Sequence, residues 1–367
     1  MVSGAPPRRG RLWLNQSVGA RGSAVQIGVL TGGGDCPGLN AAIRAVTRAS
    51  LERAWSVTGL HDGWAGVLAR HGTPLTIENT DGFLDVGGTL LGSSRTNPLR
   101  TPESYAQAAA VFDDMGLDGL VAIGGDDTLS VAGALAGDGL PVVGIPKTID
   151  NDVPGTDMCI GFNTAVETIA GSIARLRTTT MSHHRATVVE TMGRQAGWLA
   201  AVGGLAGGAD FIAVPERRSA RDEFVAHVQR RYEQGRAYSI VVVAEGAEID
   251  GLEVGEAGVQ ATDEFGHIVL AARSVGESLA RAIEEATGIE TRSSVLGHLQ
   301  RGGTPTTFDR VLGTRLGAAA VGYLAAGQRG QMAAQQGPHI HPVPLVDIAG
   351  KTRPLDDSYL ELLSLFA

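Results

Sequence analysis

Apolar residues fall in short blocks separated by glycine turns, and their spacing alternates between continuous and helical. Residues 25–30 form a run rich in β-branched side chains that stops at Thr31-Gly-Gly-Gly-Asp-Cys-Pro-Gly38, and residues 39–53 then show helical spacing. The pattern of strand, glycine turn and helix recurs at Leu120-Val-Ala-Ile-Gly-Gly-Asp-Asp127, followed by a helix over 128–136. A strand over 141–145 runs into Pro146-Lys-Thr-Ile-Asp-Asn-Asp152. A second series starts near residue 162: helix 164–178, strand 186–190, helix 195–205, strand 238–244, helix 269–286, strand 293–296 and helix 308–326. Such alternation predicts βαβ units and mainly parallel sheets, with ligands at the carboxyl ends of strands. Internal repeats are absent, and the acidic stretch 245–264, which carries several glycines, reads as a solvated loop.

Length divides this pattern in two. At 367 residues the chain exceeds what one core normally organises, so two α/β domains are expected. The 52 glycines against 5% aromatic residues suit many tight strand-to-helix turns. A formal charge of −9 argues against a nucleic-acid or anionic-membrane surface, so any anionic substrate must meet a local cluster of arginines. The two cysteines, Cys36 and Cys159, are too few for a disulfide framework and lack paired metal-ligand spacing, which makes a reducing cytoplasm the simplest location. Residues 1–24 hold arginines among Gly, Pro and Ser with no secretory apolar core, and are expected to be a disordered arm. No run of 18 apolar residues predicts a membrane span.

The chemistry-bearing residues lie at the ends of the predicted strands. Gly32, Gly33 and Gly34 would let backbone N–H groups approach an anion at a helix N-terminus, although such a turn also serves purely as a turn. A second glycine turn, residues 84–95, ends in Arg95. Asp126 and Asp127 suit a hard divalent cation bridging phosphate oxygens; either could instead cap the following helix, and both readings can hold together. The segment 146–152 gathers a cation, a hydroxyl and carboxylates at the mouth of a sheet, a density that folding does not require. Phosphoryl transfer to an alcohol needs a carboxylate to take the hydroxyl proton, a metal, and a cation for transition-state charge.

With these residues the chain resembles the phosphofructokinase superfamily from about residue 25 to beyond 315. Glu190-Thr-Met-Gly-Arg194, Val243-Ala-Glu-Gly246 and Glu290-Thr-Arg-Ser-Ser-Val-Leu-Gly-His-Leu-Gln-Arg-Gly-Gly303 follow in family order. The resemblance implies two three-layer α/β/α domains with mainly parallel sheets. The phosphoryl-donor domain would take residues 25–161 and 300–352, and the sugar-phosphate domain 162–299 and 353–367. It makes Asp150 the general base toward the sugar 1-hydroxyl, with Thr148 and Ile149 beside the transferring group, Asp126 holding Mg²⁺, and Asp152 supporting the acidic centre. Met192, Gly193 and Arg194 would contact the sugar phosphate, Arg194 also stabilising the transition state, and Glu245 would accept from sugar hydroxyls. Arg185, Arg292, His298 and Arg301 would meet the 6-phosphate, and a homodimer or homotetramer would bring Arg185 and Arg292 from a neighbouring subunit. Bidentate arginines are what a dianionic phosphate calls for. Cys36, in the glycine turn, is reactive or a small filler, with the filler favoured. His183 and His184 lack metal-ligand spacing and read as structural.

ATP-using members of the superfamily typically carry Gly at the positions of Asp127 and Lys147, so the resemblance is to the pyrophosphate-dependent branch. A carboxylate at 127 would stand where a nucleotide's α-phosphate lies; like charges about 4 Å apart at an effective dielectric near 20 repel by roughly 4 kcal/mol. Pyrophosphate has no α-phosphate to collide, and Lys147 would supply the cation that a nucleoside cannot replace. Lysine occurs only at 147 and 351, the chain otherwise using arginine. Gly33, Gly34, Arg95, Asp127 and Lys147 are therefore the expected donor site. An ATP-dependent phosphofructokinase, a catalytically silent sugar-phosphate-binding subunit, and a diacylglycerol or NAD kinase are the alternatives. The last does not explain residues 297–303. Only Arg236 is cationic in the stretch 234–237, where allosteric relatives carry a basic cluster, so weak or absent nucleotide control is expected.

Overall fold

The structure is a computed structural model that describes residues 25–254 and 274–366. Its larger sheet uses β1 (Gln26–Thr31), β2 (Ser56–Leu60), β3 (Gly72–Pro74), β4 (Gly119–Gly124), β5 (Val142–Pro146), β12 (Gln331–Gln336) and β13 (His339–Pro344) in the order β13-β12-β5-β4-β1-β2-β3. Neighbours are parallel except for the outermost pairs, β2 with β3 and β12 with β13. A smaller, wholly parallel sheet runs β11-β6-β9-β7, from β6 (Ala186–Thr191), β7 (Phe211–Ala213), β9 (Ser239–Ala244) and β11 (Thr291–Val295). Two short strands, β8 (Ser219–Ala220) and β10 (Ile249–Asp250), pair separately.

Central strands are buried along their whole length, as parallel strands covered on both faces must be. The covering helices are α1 (Leu39–Leu51), α2 (Trp64–Ala69), α3 (Ile77–Thr80), α4 (Pro102–Asp114), α5 (Asp126–Gly137), α6 (Phe162–Ser182), α7 (Trp198–Gly207), α8 (Arg221–Glu233), α9 (Val275–Thr287), α10 (Thr307–Ala325) and α11 (Asp357–Leu363). The edge strand β13 carries Pro342 and Pro344, which present no N–H to a further strand.

The larger sheet reverses direction at one place. The chain leaves β1 for β2 on one side and β4 for β5 on the other, so β1 and β4 flank a switch-point crevice. In the smaller sheet β6 and β9 are the central pair, with β7 beyond β9 and β11 beyond β6. Asp309 on α10 accepts from the Gly161 and Thr164 amides at 3.0 and 2.8 Å and from the Thr164 hydroxyl at 2.5 Å, fixing the start of α6 where the chain passes between sheets.

The strands and helices expected from the sequence are present with shifted ends. α5 begins at Asp126, not 128, so both aspartates stand in its first turn and Gly125 takes the cap position without a side-chain cap. α7 starts at Trp198 because residues 193–197 form a tight turn, with Gly193 at φ 135° and Arg194 at φ 48°. α9 starts at Val275; residues 269–273 of the expected helix, like the expected arm 1–24, lie outside the described residues. The stretch read as a loop contains β10, and residues 255–264 of it also lie outside.

Candidate active site

Three turns meet at the β1/β4 crevice. The Gly32 amide donates to Ile123 O at 2.9 Å and the Lys147 amide to Gly124 O at 2.9 Å, which stitches the turns after β1, β4 and β5 together. Lys147 is only 3% exposed, and its ammonium donates to Gly34 O at 2.5 Å. Burial lowers its pKa. Gly33 has φ 76°, donates to Ser94 O at 3.0 Å, and accepts from the Ser93 hydroxyl. A cavity of about 550 Å³ opens there, lined by Gly33, Gly34, Ser93, Arg95, His298 and Arg301 among others. Arg301 donates to Asp35 O at 3.3 Å, and a Cβ on Gly34 would stand 2.4 Å from its guanidinium. The glycine is what lets the arginine lie across the turn.

The acidic half lies beside it. Asp150 is 5% exposed, its amide donates to Thr148 Oγ1 at 3.1 Å, and its Oδ1 is buried with no hydrogen-bond partner. Ile149 and Thr148 are buried. Asn151, at φ 53°, folds the turn by accepting from the Cys159 amide at 2.8 Å and donating to Asp157 O at 3.2 Å. Asp152 is pushed up to about 7 by burial and then by Asp150, with Arg194 pulling the other way. Asp126 accepts from the Gly350 amide at 2.9 Å and from the Ser130 hydroxyl at 3.3 Å. Among the described residues no three His, Cys, Asp or Glu side chains converge as a metal cage.

From the smaller sheet come the turns after β6 and β9. The Arg194 amide donates to Glu245 Oε1 at 3.1 Å, the Glu245 amide to Thr191 O at 2.8 Å, and the Met192 amide to Gln300 Oε1 at 3.3 Å. A Cβ on Gly246 would overlap Arg194 O at 1.7 Å, so only glycine lets these turns approach. Glu245 is raised by burial, and Asp150 adds to the effect, which brings the acids of both sheets within electrostatic reach.

The remaining expected residues divide. His298 and Arg301 line the cavity beside Gly33, Gly34 and Arg95. Arg185 and Arg292 lie at the opposite, amino-terminal end of β6 and β11, ion-paired to Glu290 at 3.4 and 3.0 Å, so one chain does not bring them to the cluster. Cys36 is fully buried and pushed up to about 12 by burial, which makes it a filler. Gln300, Gly350 and Arg353, which contact this region, went unrecognised in the sequence. Gln300 lies within the motif of residues 290–303, whereas Gly350 and Arg353 carry no local signal.

Two mainly parallel sheets that bring glycine turns, a buried ammonium and several carboxylates together at the carboxyl ends of their central strands define a two-sheet α/β protein with a charged ligand crevice. The family model described as Phosphofructokinase matches residues 26–324, and the chain belongs to the phosphofructokinase family. A pyrophosphate--fructose 6-phosphate 1-phosphotransferase of Dictyoglomus thermophilum is 46% identical over 344 residues, covering 94% of this chain and 99% of that protein. ATP-dependent 6-phosphofructokinase 3 of Streptomyces coelicolor is 43% identical, over 91% of this chain and 97% of that one. Among solved structures, a pyrophosphate-dependent phosphofructokinase from Marinobacter aquaeolei shares the fold with a TM-score of 0.77 at 24% identity, covering 92% of this chain and 91% of its own.

Proposed function

We propose that this chain transfers a phosphoryl group from pyrophosphate to the 1-hydroxyl of fructose 6-phosphate, reversibly, giving fructose 1,6-bisphosphate and phosphate. The observation that carries the donor is the stitch between Lys147 N and Gly124 O, which sets the Lys147 turn against the turn that bears Asp127. The carboxylate repels a nucleotide's α-phosphate, and the ammonium, held at the Gly33–Gly34 backbone, meets the oxygens of the shorter donor.

Asp150 accepts the proton of the 1-hydroxyl as that oxygen attacks the distal phosphorus and phosphate leaves. Its buried, unpartnered Oδ1 is available for that hydrogen bond. Arg194 and Lys147 oppose the charge that builds on the transferring group, Thr148 and Ile149 line its path, and Asp152 supports the acidic centre. Met192, Gly193, Arg194 and Glu245 hold the sugar, while Gly33, Gly34, Arg95, Asp127 and Lys147 hold pyrophosphate. His298 and Arg301 reach the 6-phosphate, and Arg185 and Arg292 reach the one in a neighbouring subunit of a homodimer or homotetramer.

Mg²⁺ fits the residues present without a protein cage, since Asp150 and Asp126 both raise the buried Asp152 and Asp150 carries an orphaned oxygen. Mg²⁺ commonly takes one or two carboxylates together with substrate phosphates. Asp126 would hold it, and when bound it supplies neutralisation of phosphoryl oxygens. The 25–161 and 300–352 segments act as the donor domain, and 162–299 with 353–367 as the sugar domain.

Turnover of fructose 6-phosphate with pyrophosphate and with ATP at equal free Mg²⁺ tests the reading. A higher kcat/KM with pyrophosphate is expected; a higher value with ATP replaces the donor assignment with the ATP-dependent alternative, to which the ATP-named relatives give weight.

A further inference from the structure

The chain crosses a last time from the larger sheet to the smaller one between the end of β13 and α11, and this crossing runs over the acids. Gly350 N donates to Asp126 at 2.9 Å, and Arg353 N donates to Asp152 O at 2.7 Å. The Arg353 guanidinium donates to Thr156 O and stacks over the Trp198 ring, 4.3 Å from its centroid. The Trp198 indole donates back to Arg353 O at 3.2 Å. Two residues on, the Leu355 amide donates to Glu216 Oε1 at 2.7 Å, and Glu216 also accepts from the Gly197 amide at 2.9 Å, immediately before Trp198.

Arg353 thus holds one group from each side. On one side is the 152–158 loop, itself fastened to the larger sheet where the Asp157 amide donates to Gln335 O at 2.8 Å and the Gly337 amide to Asp157 at 2.6 Å. On the other is the first residue of α7, four positions after Arg194. Both loops end on opposing charges of the cluster, since Arg194 acts on Asp152. A planar, five-donor guanidinium can stack and donate in the plane at once, which an ammonium cannot.

We propose that Arg353 is a positioning residue that sets the spacing between the Asp150–Asp152 turn and the Arg194 turn. The role rests on the phosphoryl-transfer reading for its kinetic consequence, but the spacing itself is a property of the protein alone. Neither Arg353 nor Trp198 touches the donor cavity, so losing the clamp changes geometry without removing a ligand contact.

The test compares the full-length wild type with Arg353→Ala, Arg353→Lys and Trp198→Phe by hydrogen exchange of the free protein and by steady-state kinetics with fructose 6-phosphate and pyrophosphate. Exchange is expected to rise in both segments 150–158 and 192–198, most in Arg353→Ala and least in Trp198→Phe, with β1 and β4 unchanged. A misplacement of this kind is expected to lower kcat by at least about tenfold with KM moved far less. Lysine should restore little, because charge is not the property used. Unchanged exchange in either segment, a rise spread over the whole chain, or full kinetic rescue by lysine overturns the proposal. A wild type inactive with these substrates defeats the functional reading, and the exchange measurement still decides the clamp.

Discussion

Asp127 occupies the second position of α5, one residue after Asp126, where the positive end of the helix favours its charge. In the proposed donor site its carboxylate is the group that opposes a nucleotide's α-phosphate. Replacing it in Asp127→Gly is expected to raise kcat/KM for ATP relative to pyrophosphate by about 10-fold to 10³-fold, read in paired donor assays. If the ratio stays put, repulsion at this position does not set the donor preference. Asp150→Asn keeps the shape of the side chain and removes the proposed base, so kcat should fall by at least about 10²-fold with little loss of thermal stability. Near-normal turnover in that variant removes Asp150 from its assigned role.

At the scale of elements, the supports of the site are close helix and strand contacts that glycine permits. α10 crosses α1 with Gly313 and Gly317 on the contact face, and a Cβ on Gly317 would lie 2.6 Å from Ala42 O. Gly317→Ala must separate the helices and is expected to cost about 1–3 kcal/mol, seen as a lower midpoint in urea at unchanged slope. A midpoint equal to the wild type would mean that the helices yield without strain. The same scale explains what could be read from the sequence. β1, β4, β5, β6 and β9 are buried on both faces, so their apolar runs announce them. α8, with Arg221, Asp222, Glu223, Arg230 and Arg231, buries only a narrow stripe of Phe224, His227, Val228 and the Arg231 stem, and its pattern is too polar to stand out. β12 and β13 carry Gln, His and Pro, which hide them until their neighbour β5 is known. Candidate site residues next to glycine turns are legible in the sequence; Arg353 is not, because its partners lie 155 and 197 residues away.

For the whole molecule, pH couples to stability through groups that folding buries. His227 on α8 packs edge-on against Phe211 at 5.2 Å, and burial, then Arg231 and Arg230, holds it down at about 4. A neutral native imidazole and a protonated unfolded one mean that the unfolded state binds more protons below pH 6.5. Stability is therefore lost as pH falls from about 6.5 towards 4, a contribution bounded at about 3 kcal/mol. His227→Phe should flatten the melting temperature over that window; an unchanged slope would place the acid sensitivity elsewhere.

The larger sheet joins strands from both ends of the chain, with β12 hydrogen-bonded beside β5 and α10 laid on α1. During synthesis the apolar edge of β5 must wait about 185 residues for its neighbour, while β6, β7, β9 and β11, all encoded in between, can pair as soon as they emerge. The smaller sheet is thus free to fold first, and the nascent larger one presents an open strand edge that invites mispairing. A chain released at residue 325 should be captured by chaperones or aggregate, whereas one released at 350 should not. Burden on the folding machinery is set by where the last strands were written into the message.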